Sequence, residues 1–240
     1  MQQPLLLLFV LSGAAGLVYE VVWARQLVLV FGNTSQAVST ILTGFFGGLA
    51  LGGWVGGRLV DRVARPLRLY GILELLVVVV VLLTPVAFPL VGQAYRDLYP
   101  SLGSAPLALA LVRFALAILA LAPATVLMGA TLPTLTRQLG GDSGGGGDLA
   151  GAFRRLYTAN TIGAIAGTLL AGLVLIEALG LAGALAAGAA CSAAAGVVAL
   201  LLDRAAGPSA SPVRLSASPA STARILTGRA GSPAGQRRLG

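Results

Sequence analysis

Lysine and histidine are absent from this 240-residue sequence, and Cys191 is its only thiol. Without histidine or a second cysteine there is no imidazole general base, no zinc site of familiar spacing and no intrachain disulfide. Without lysine there is no Schiff-base chemistry and no phosphate-loop lysine. Charge of either sign is scarce: 10% of the residues are charged, where a soluble domain carries about a quarter. The sixteen basic residues, all arginine, outnumber eight acidic ones, giving a formal net charge of +8. What fills the chain instead is apolar, 57% hydrophobic with a mean hydropathy of +0.90. This inventory excludes a wholly disordered chain, a disulfide scaffold and a soluble nucleic-acid binder. It argues against most enzymes and describes a membrane protein.

A membrane span needs about 20 apolar residues, at a rise of about 1.5 Å each, to cross about 30 Å of hydrocarbon. Six stretches qualify: Pro4–Leu29, Ala37–Leu59, Leu69–Val91, Pro106–Leu127 (or on to Leu135), Tyr157–Ile176 and Leu181–Leu202. The first lacks a basic leader and a small-residue cleavage site, so it reads as a retained span and not a signal peptide. The expected fold is therefore all-α, a polytopic membrane helical bundle over 1–202, followed by an Arg/Ser/Pro/Ala-rich tail over 203–240. That tail has almost no apolar periodicity and is expected to be disordered.

Arginine placement sets the orientation. Arg58, Arg62, Arg65 and Arg68 lie between spans two and three, Arg137, Arg154 and Arg155 between four and five, and six more follow span six. The alternate connections carry almost none, so the positive-inside rule puts both termini in the cytoplasm. The net positive charge thus reads as a topology signal and a contact for anionic headgroups. The lipid bilayer is the expected partner, and no nucleic acid is.

Gly44, Gly48, Gly52 and Gly56 recur every fourth residue in span two, with Gly163 and Gly167 a weaker version in span five. Residues four apart share a helix face, so these ladders make side-chain-free grooves for close helix packing, or for a gliding surface. The run GGDSGGGG from Gly140 lacks the ending of a phosphate loop and reads as a cytoplasmic linker. Neither it nor any other segment predicts a catalytic, cofactor or metal site.

Ionisable groups within spans are costly and point to function. Here they are Glu20, Glu74 and Arg113, with Arg25 near a membrane face. Counting about 1.5 Å per residue places Glu20 about 8 Å, and Arg113 about 10 Å, below the outer face. The matching depths predict a Glu20–Arg113 pair. Glu74, about 8 Å above the inner face, is expected to meet Arg58 or Arg137. The alternative is that Arg113 and Arg25 snorkel to headgroups while Tyr19 and Trp23 form an interfacial belt.

Several stretches carry a family resemblance: SGAAGLVYEVVWARQLVLVFGNT (12–34), GLALGGWVGGRLVDRVARPLRLYGILEL (48–75), LMGATLPTLTR (127–137) and LYTANTIGAIAGTLLAGLVLIEALG (156–180). Together they resemble bacterial membrane proteins in which a major-facilitator-like region is fused to a spermidine-synthase-like domain. Gly57-x-x-x-Asp61-Arg62-x-x-Arg65 is similar to the cytoplasmic loop between the second and third helices of major facilitators. Asn33-Thr34-x-x-Ala37 and Asn160-Thr161-x-x-Ala164 suggest a three-plus-three inverted repeat, with both asparagines capping helices at opposite faces. The resemblance implies residence in the bacterial cytoplasmic membrane, beside an aminopropyltransferase domain or chain acting in polyamine biosynthesis. No stretch matches the synthase motifs, so 203–240 is expected to be a truncated start of that domain, and the chain is expected to be inactive alone. A half-transporter of major-facilitator type, for a small solute such as a polyamine and possible as a homodimer, is the competing reading.

Overall fold

A backbone in lipid has no water to bond, so long apolar runs satisfy their own N–H and C=O groups as helices. The computed structural model describes residues 2–102, 104–141 and 148–206, and those residues form helices joined by short connections. The helices are α1 (Gln2–Phe31), α2 (Ser35–Val60), α3 (Pro66–Leu102), α4 (Pro106–Gly141), α5 (Leu149–Leu170) and α6 (Ile176–Ala205). A π-helical turn, Ala171–Leu175, joins the last two. Five continuous helical runs are long and apolar enough to cross a membrane, the fifth being the whole of Leu149–Ala205. There is no strand among the described residues. The chain is a multi-pass, all-helical membrane protein.

Local chemistry accounts for the ends and the breaks. Gly32, at φ 88°, turns the chain out of α1, and the Thr34 side chain then accepts from Ala37 N to cap α2. Asp148 caps α5 through Gly151 N at 2.7 Å. Pro66 and Pro106 open α3 and α4, where a missing N–H costs nothing. Pro85, inside α3, leaves the Val81 carbonyl without its helical donor, and the Thr84 hydroxyl donates to that carbonyl at 2.7 Å. The same hydroxyl accepts from Trp23 Nε1 of α1 at 3.4 Å.

The glycine ladders define two intimate pairs. Along α2, Gly48 faces Thr125, Gly52 faces the Val126 backbone and Gly56 faces Ala130, so α2 and α4 run parallel and nearly touch. Along α5, Gly163 faces the Val10 backbone and Gly167 that of Ala14, which joins α5 to α1 in the same parallel sense. Helix α6 runs the other way: Gly188 lies on Tyr19 of α1, and Gly196 lies farther down, on Gly71 and Glu74 of α3. Within the first turns of α6, Gly180 breaks the helix at φ 70° and ψ −179°, a backbone conformation that only glycine adopts readily.

The bundle has an apolar core but also exposes many large apolar side chains and buries a few polar ones. Leu29 and Leu107 are 80% and 74% exposed, while Glu74 is 2% exposed and Thr125 and Thr134 are fully buried. A single apolar cluster around Trp23, Phe45, Val81 and Leu121 fills one end of the bundle. A second, around Leu5, Phe9, Tyr70 and Leu135, fills the other. The helices outrun the expected spans: α3 continues past Val91 to Leu102, α4 past Leu135 to Gly141, and α5 begins at Leu149 rather than Tyr157. Hydropathy marks the hydrocarbon-crossing part, whereas backbone hydrogen bonding carries each helix on into polar sequence. Of the expected linker, 142–147 lies outside the described residues, as does the tail from 207 onward.

Candidate functional site

The α2–α4 and α1–α5 pairs are each tightly joined but diverge from one another, leaving a cavity of about 660 Å³ between them. Small residues make the room. Gly13 and Gly16 of α1, Ala50, Gly53 and Gly57 of α2, and Gly129 of α4 all line it. A Cβ added at Gly57 would meet nothing within 4 Å. The lining is largely apolar, with Ser12, Thr131, Thr136 and Asn160 supplying hydroxyls and an amide. From Asp61 to Phe45, both in the wall, the cavity follows α2 for about 24 Å.

One end of it reaches the arginine-rich end of the bundle. There Arg137 of α4 stands 3.7 Å from Asp61, just past α2, their side chains 47% and 71% exposed. Phe153 and Tyr157 of α5, ring centroids 5.9 Å apart and nearly parallel, also line the cavity. Just before α3, Arg65 clasps Asp203 of α6 with Nη2–Oδ2 at 2.8 Å and Nε–Oδ1 at 3.2 Å, and donates to the Asp203 carbonyl as well. The Leu67 N–H donates to Gln138 of α4 at 3.2 Å. These contacts fasten α3, α4 and α6 together at one end, near the close of α2.

Behind one wall of the cavity is a buried polar cluster. Tyr70 and Glu74, four apart on α3, face Leu8 and Ser12, four apart on α1. Ser12 donates to Glu74 Oε1 at 2.5 Å, and Tyr70 donates to the Leu8 carbonyl at 3.3 Å. Ser192 of α6 lies beside both the Glu74 carboxyl and Tyr19. The Tyr19 hydroxyl is buried and has no hydrogen-bond partner of acceptable geometry. Ser12 thus touches the cavity on one side and Glu74 on the other. Among the described residues no three of His, Cys, Asp and Glu gather as metal ligands. The site works with hydrogen bonds, one buried carboxyl and apolar surface.

No family model, curated protein or solved structure matches this chain. The site therefore stands on its own geometry.

That geometry corrects several expectations. Glu20 and Arg113 are not paired: Arg113 donates through Nε and Nη2 to the Tyr95 hydroxyl of α3, at 2.9 and 2.8 Å. The ion pairs among the described residues are Arg65–Asp203 and Arg137–Asp61. Depth along the membrane normal had matched Glu20 with Arg113, but the side chains point to different neighbours around the bundle. Glu74 meets neither Arg58, which lies 3.8 Å over the Trp54 ring, nor Arg137. Tyr19 and Trp23 form no interfacial belt; they stack 5.5 Å apart in the core. Asn33 is exposed and leaves capping to Thr34, and Asn160 sits in mid-α5, against Gly13 on the cavity wall.

Other expected residues stand where their chemistry is usable. Arg25 is exposed, as a snorkelling side chain would be, and Arg62 is exposed at the arginine-rich end. Gly57, Asp61 and Arg65 of the loop motif respectively line the cavity, hold Arg137 and hold Asp203. Sequence reasoning missed Ser12, Tyr70 and Ser192. A signal existed for one of them: Ser192 is the lone hydroxyl in the Ala/Leu/Gly-rich helix α6.

Proposed function

We propose that this chain is a six-span membrane domain built as an inverted three-plus-three repeat, with both ends of the bundle's chain path in the cytoplasm. The observation that carries this reading is a repeat of buried positions. Ala37, Ile41, Gly44, Gly48, Gly52 and Gly56 of α2 have counterparts 115 positions on: Ala152, Leu156, Ala159, Gly163, Gly167 and Ala171. Every one is buried, and each matches its counterpart in size class. The register differs from that of the Asn33 and Asn160 motifs. The two stripes do equivalent work, α2 closing on α4 and α5 on α1. Opposite running of α5 and α6 against α1 supports counting them as two spans, and the arginine-rich end supports a cytoplasmic mouth.

In function, the domain serves a spermidine-synthase-like aminopropyltransferase in the bacterial cytoplasmic membrane, and its cavity takes a small solute from the cytoplasmic side. The sequence resemblance supports this, as does the cavity's reach to the arginine-rich end, where Arg65 holds Asp203 near the close of α6. The wall's one carboxylate, Asp61, already faces Arg137, so the lining suits a neutral or singly charged amphiphile better than a polycation. A half-transporter is the second reading, favoured by a cavity that runs from Asp61 at the arginine-rich end to Phe45 deep in the bundle.

One reconstitution separates the two. Purified chain in liposomes is assayed for aminopropyl transfer, for recruitment of an added spermidine-synthase domain, and for uptake of labelled putrescine and spermidine. The first reading expects no turnover by the chain alone, recruitment of the synthase domain, and uptake equal to empty liposomes. Uptake that Ala50→Trp abolishes, without recruitment, would replace it with the transporter reading.

A further inference from the structure

Glu74 is a buried carboxyl that neither packing nor ion pairing explains. It is 2% exposed, and among the described residues no arginine pairs with it. The groups that face it are hydroxyls: Ser12 and Tyr19 from α1, Tyr70 from its own helix and Ser192 from α6, with Cys191 next along α6. Helix α4 sends no charged group there; Arg137 is held at Asp61 and Arg113 at Tyr95. Buried carboxyls without a counter-charge in a membrane mark proton or ion paths.

The surroundings suit two protonation states. A hydroxyl donates to a carboxylate and accepts from a carboxylic acid, so Ser12 can serve Glu74 in either form. Ser192 lies beside both Glu74 and the partnerless Tyr19 hydroxyl, so it can turn from one to the other as Glu74 changes its demand. Ser12 is also part of the cavity wall, which gives the carboxyl a single-residue path to the cavity. The Ser12 hydroxyl donates straight to Glu74 Oε1, so a proton can pass between the two oxygens along an existing hydrogen bond.

We propose that Glu74 is a proton-binding site of the membrane domain, loaded and unloaded from the cavity through the Ser12 hydroxyl. In loading, a hydronium ion in the cavity gives a proton to the Ser12 oxygen while the original Ser12 hydrogen passes to Glu74 Oε1. Hydronium becomes water, the carboxylate becomes a carboxylic acid, and Ser12 remains a hydroxyl. Unloading is the reverse. The inference rests on the reading of the cavity as open at the arginine-rich end.

Infrared difference spectroscopy of the full chain in liposomes, after a pH jump, reads this proton directly. The carboxylic-acid C=O band that grows on acidification should lose a component in Glu74→Gln that Glu20→Gln retains. Ser12→Ala should shift that component. In a Cys191→Ala background, Phe153→Cys capped with a bulky maleimide should slow its shift in deuterated buffer. A spectrum unchanged in Glu74→Gln overturns the proposal, as does a component displaced by sodium but not by choline. A deuterium shift indifferent to both Ser12→Ala and the capped mouth overturns the path. If Glu74→Gln does not fold, Glu74→Asp should move the component in frequency, and an identical band would count against Glu74. A cavity that takes no solute leaves the band in place, so failure of the functional reading is distinguishable from failure here.

Discussion

Gly52→Ala isolates what holds the two halves of this bundle in shape. A Cβ at Gly52 would stand 2.7 Å from the Val126 carbonyl carbon and 2.8 Å from its Cα, and closer still to its oxygen. Carbon atoms in favourable contact sit about 3.5–4.0 Å apart. The obstacle is backbone, so no rotamer change relieves it and α2 must draw away from α4 by roughly 1 Å. Overpacking of this kind costs about 1–3 kcal/mol. Alanine is a better helix former than glycine by about 0.5–1 kcal/mol, which offsets part of that cost. Gly47→Ala is the control, because a Cβ there meets nothing within 4 Å, and it keeps only the propensity gain. The propensity contribution cancels between the two variants, so Gly52→Ala should be less stable than Gly47→Ala by about 1–3 kcal/mol. Gly163→Ala, facing the Val10 backbone on the other pair, should behave like Gly52→Ala. Reversible unfolding in mixed detergent micelles reads all three. If Gly52→Ala and Gly163→Ala match Gly47→Ala, the close approach of the helix pairs is refuted.

Three further outcomes follow from particular contacts. Gly180→Ala, forced into a backbone region reserved for glycine, should lower stability by about 1–3 kcal/mol in the same assay, and Gly180→Asn should not recover it. Arg65→Lys should destabilise by about 1–3 kcal/mol, because one ammonium cannot reproduce the two-pronged grip on Asp203, while Arg137→Ala should cost under about 1 kcal/mol at its longer, more exposed pair. Glu20→Gln and Arg113→Gln should be additive to within about 0.5 kcal/mol in a double-mutant cycle, since Arg113 is engaged by Tyr95. A coupling well above that value would restore the ion pair between them.

Much of the fold was legible because a membrane imposes simple demands. Long apolar runs announce helices, and arginines gather at one end whether counted in sequence or seen beside Asp61 and Asp203. The ladder Gly44–Gly48–Gly52–Gly56 announced a close helix contact, and α4 supplies it. What spacing does not encode is direction around the helix axis. Residue counts gave Glu20 and Arg113 similar depths, yet Arg113 turns to Tyr95 and Glu74 turns to Ser12. Two short asparagine motifs hinted at the proposed repeat, but the register proposed for it rests on the buried small residues, visible only once burial separates the packed stripe from the exposed one. The cavity was not legible at all. It arises from a divergence between two helix pairs, to which Gly13, Gly53 and Gly129 contribute by what they lack.

The cavity between the glycine-joined pairs is proposed to open at the arginine-rich end, with that end facing the cytoplasm. Ala50, exposed on the cavity wall, reports on it directly. In a Cys191→Ala background, Ala50→Cys is treated with a small membrane-impermeant thiol reagent in right-side-out cells and in inverted membrane vesicles. Labelling in inverted vesicles alone, blocked when the mouth is capped at Phe153→Cys, is the predicted result. Labelling from the outside, or from neither side, would contradict it.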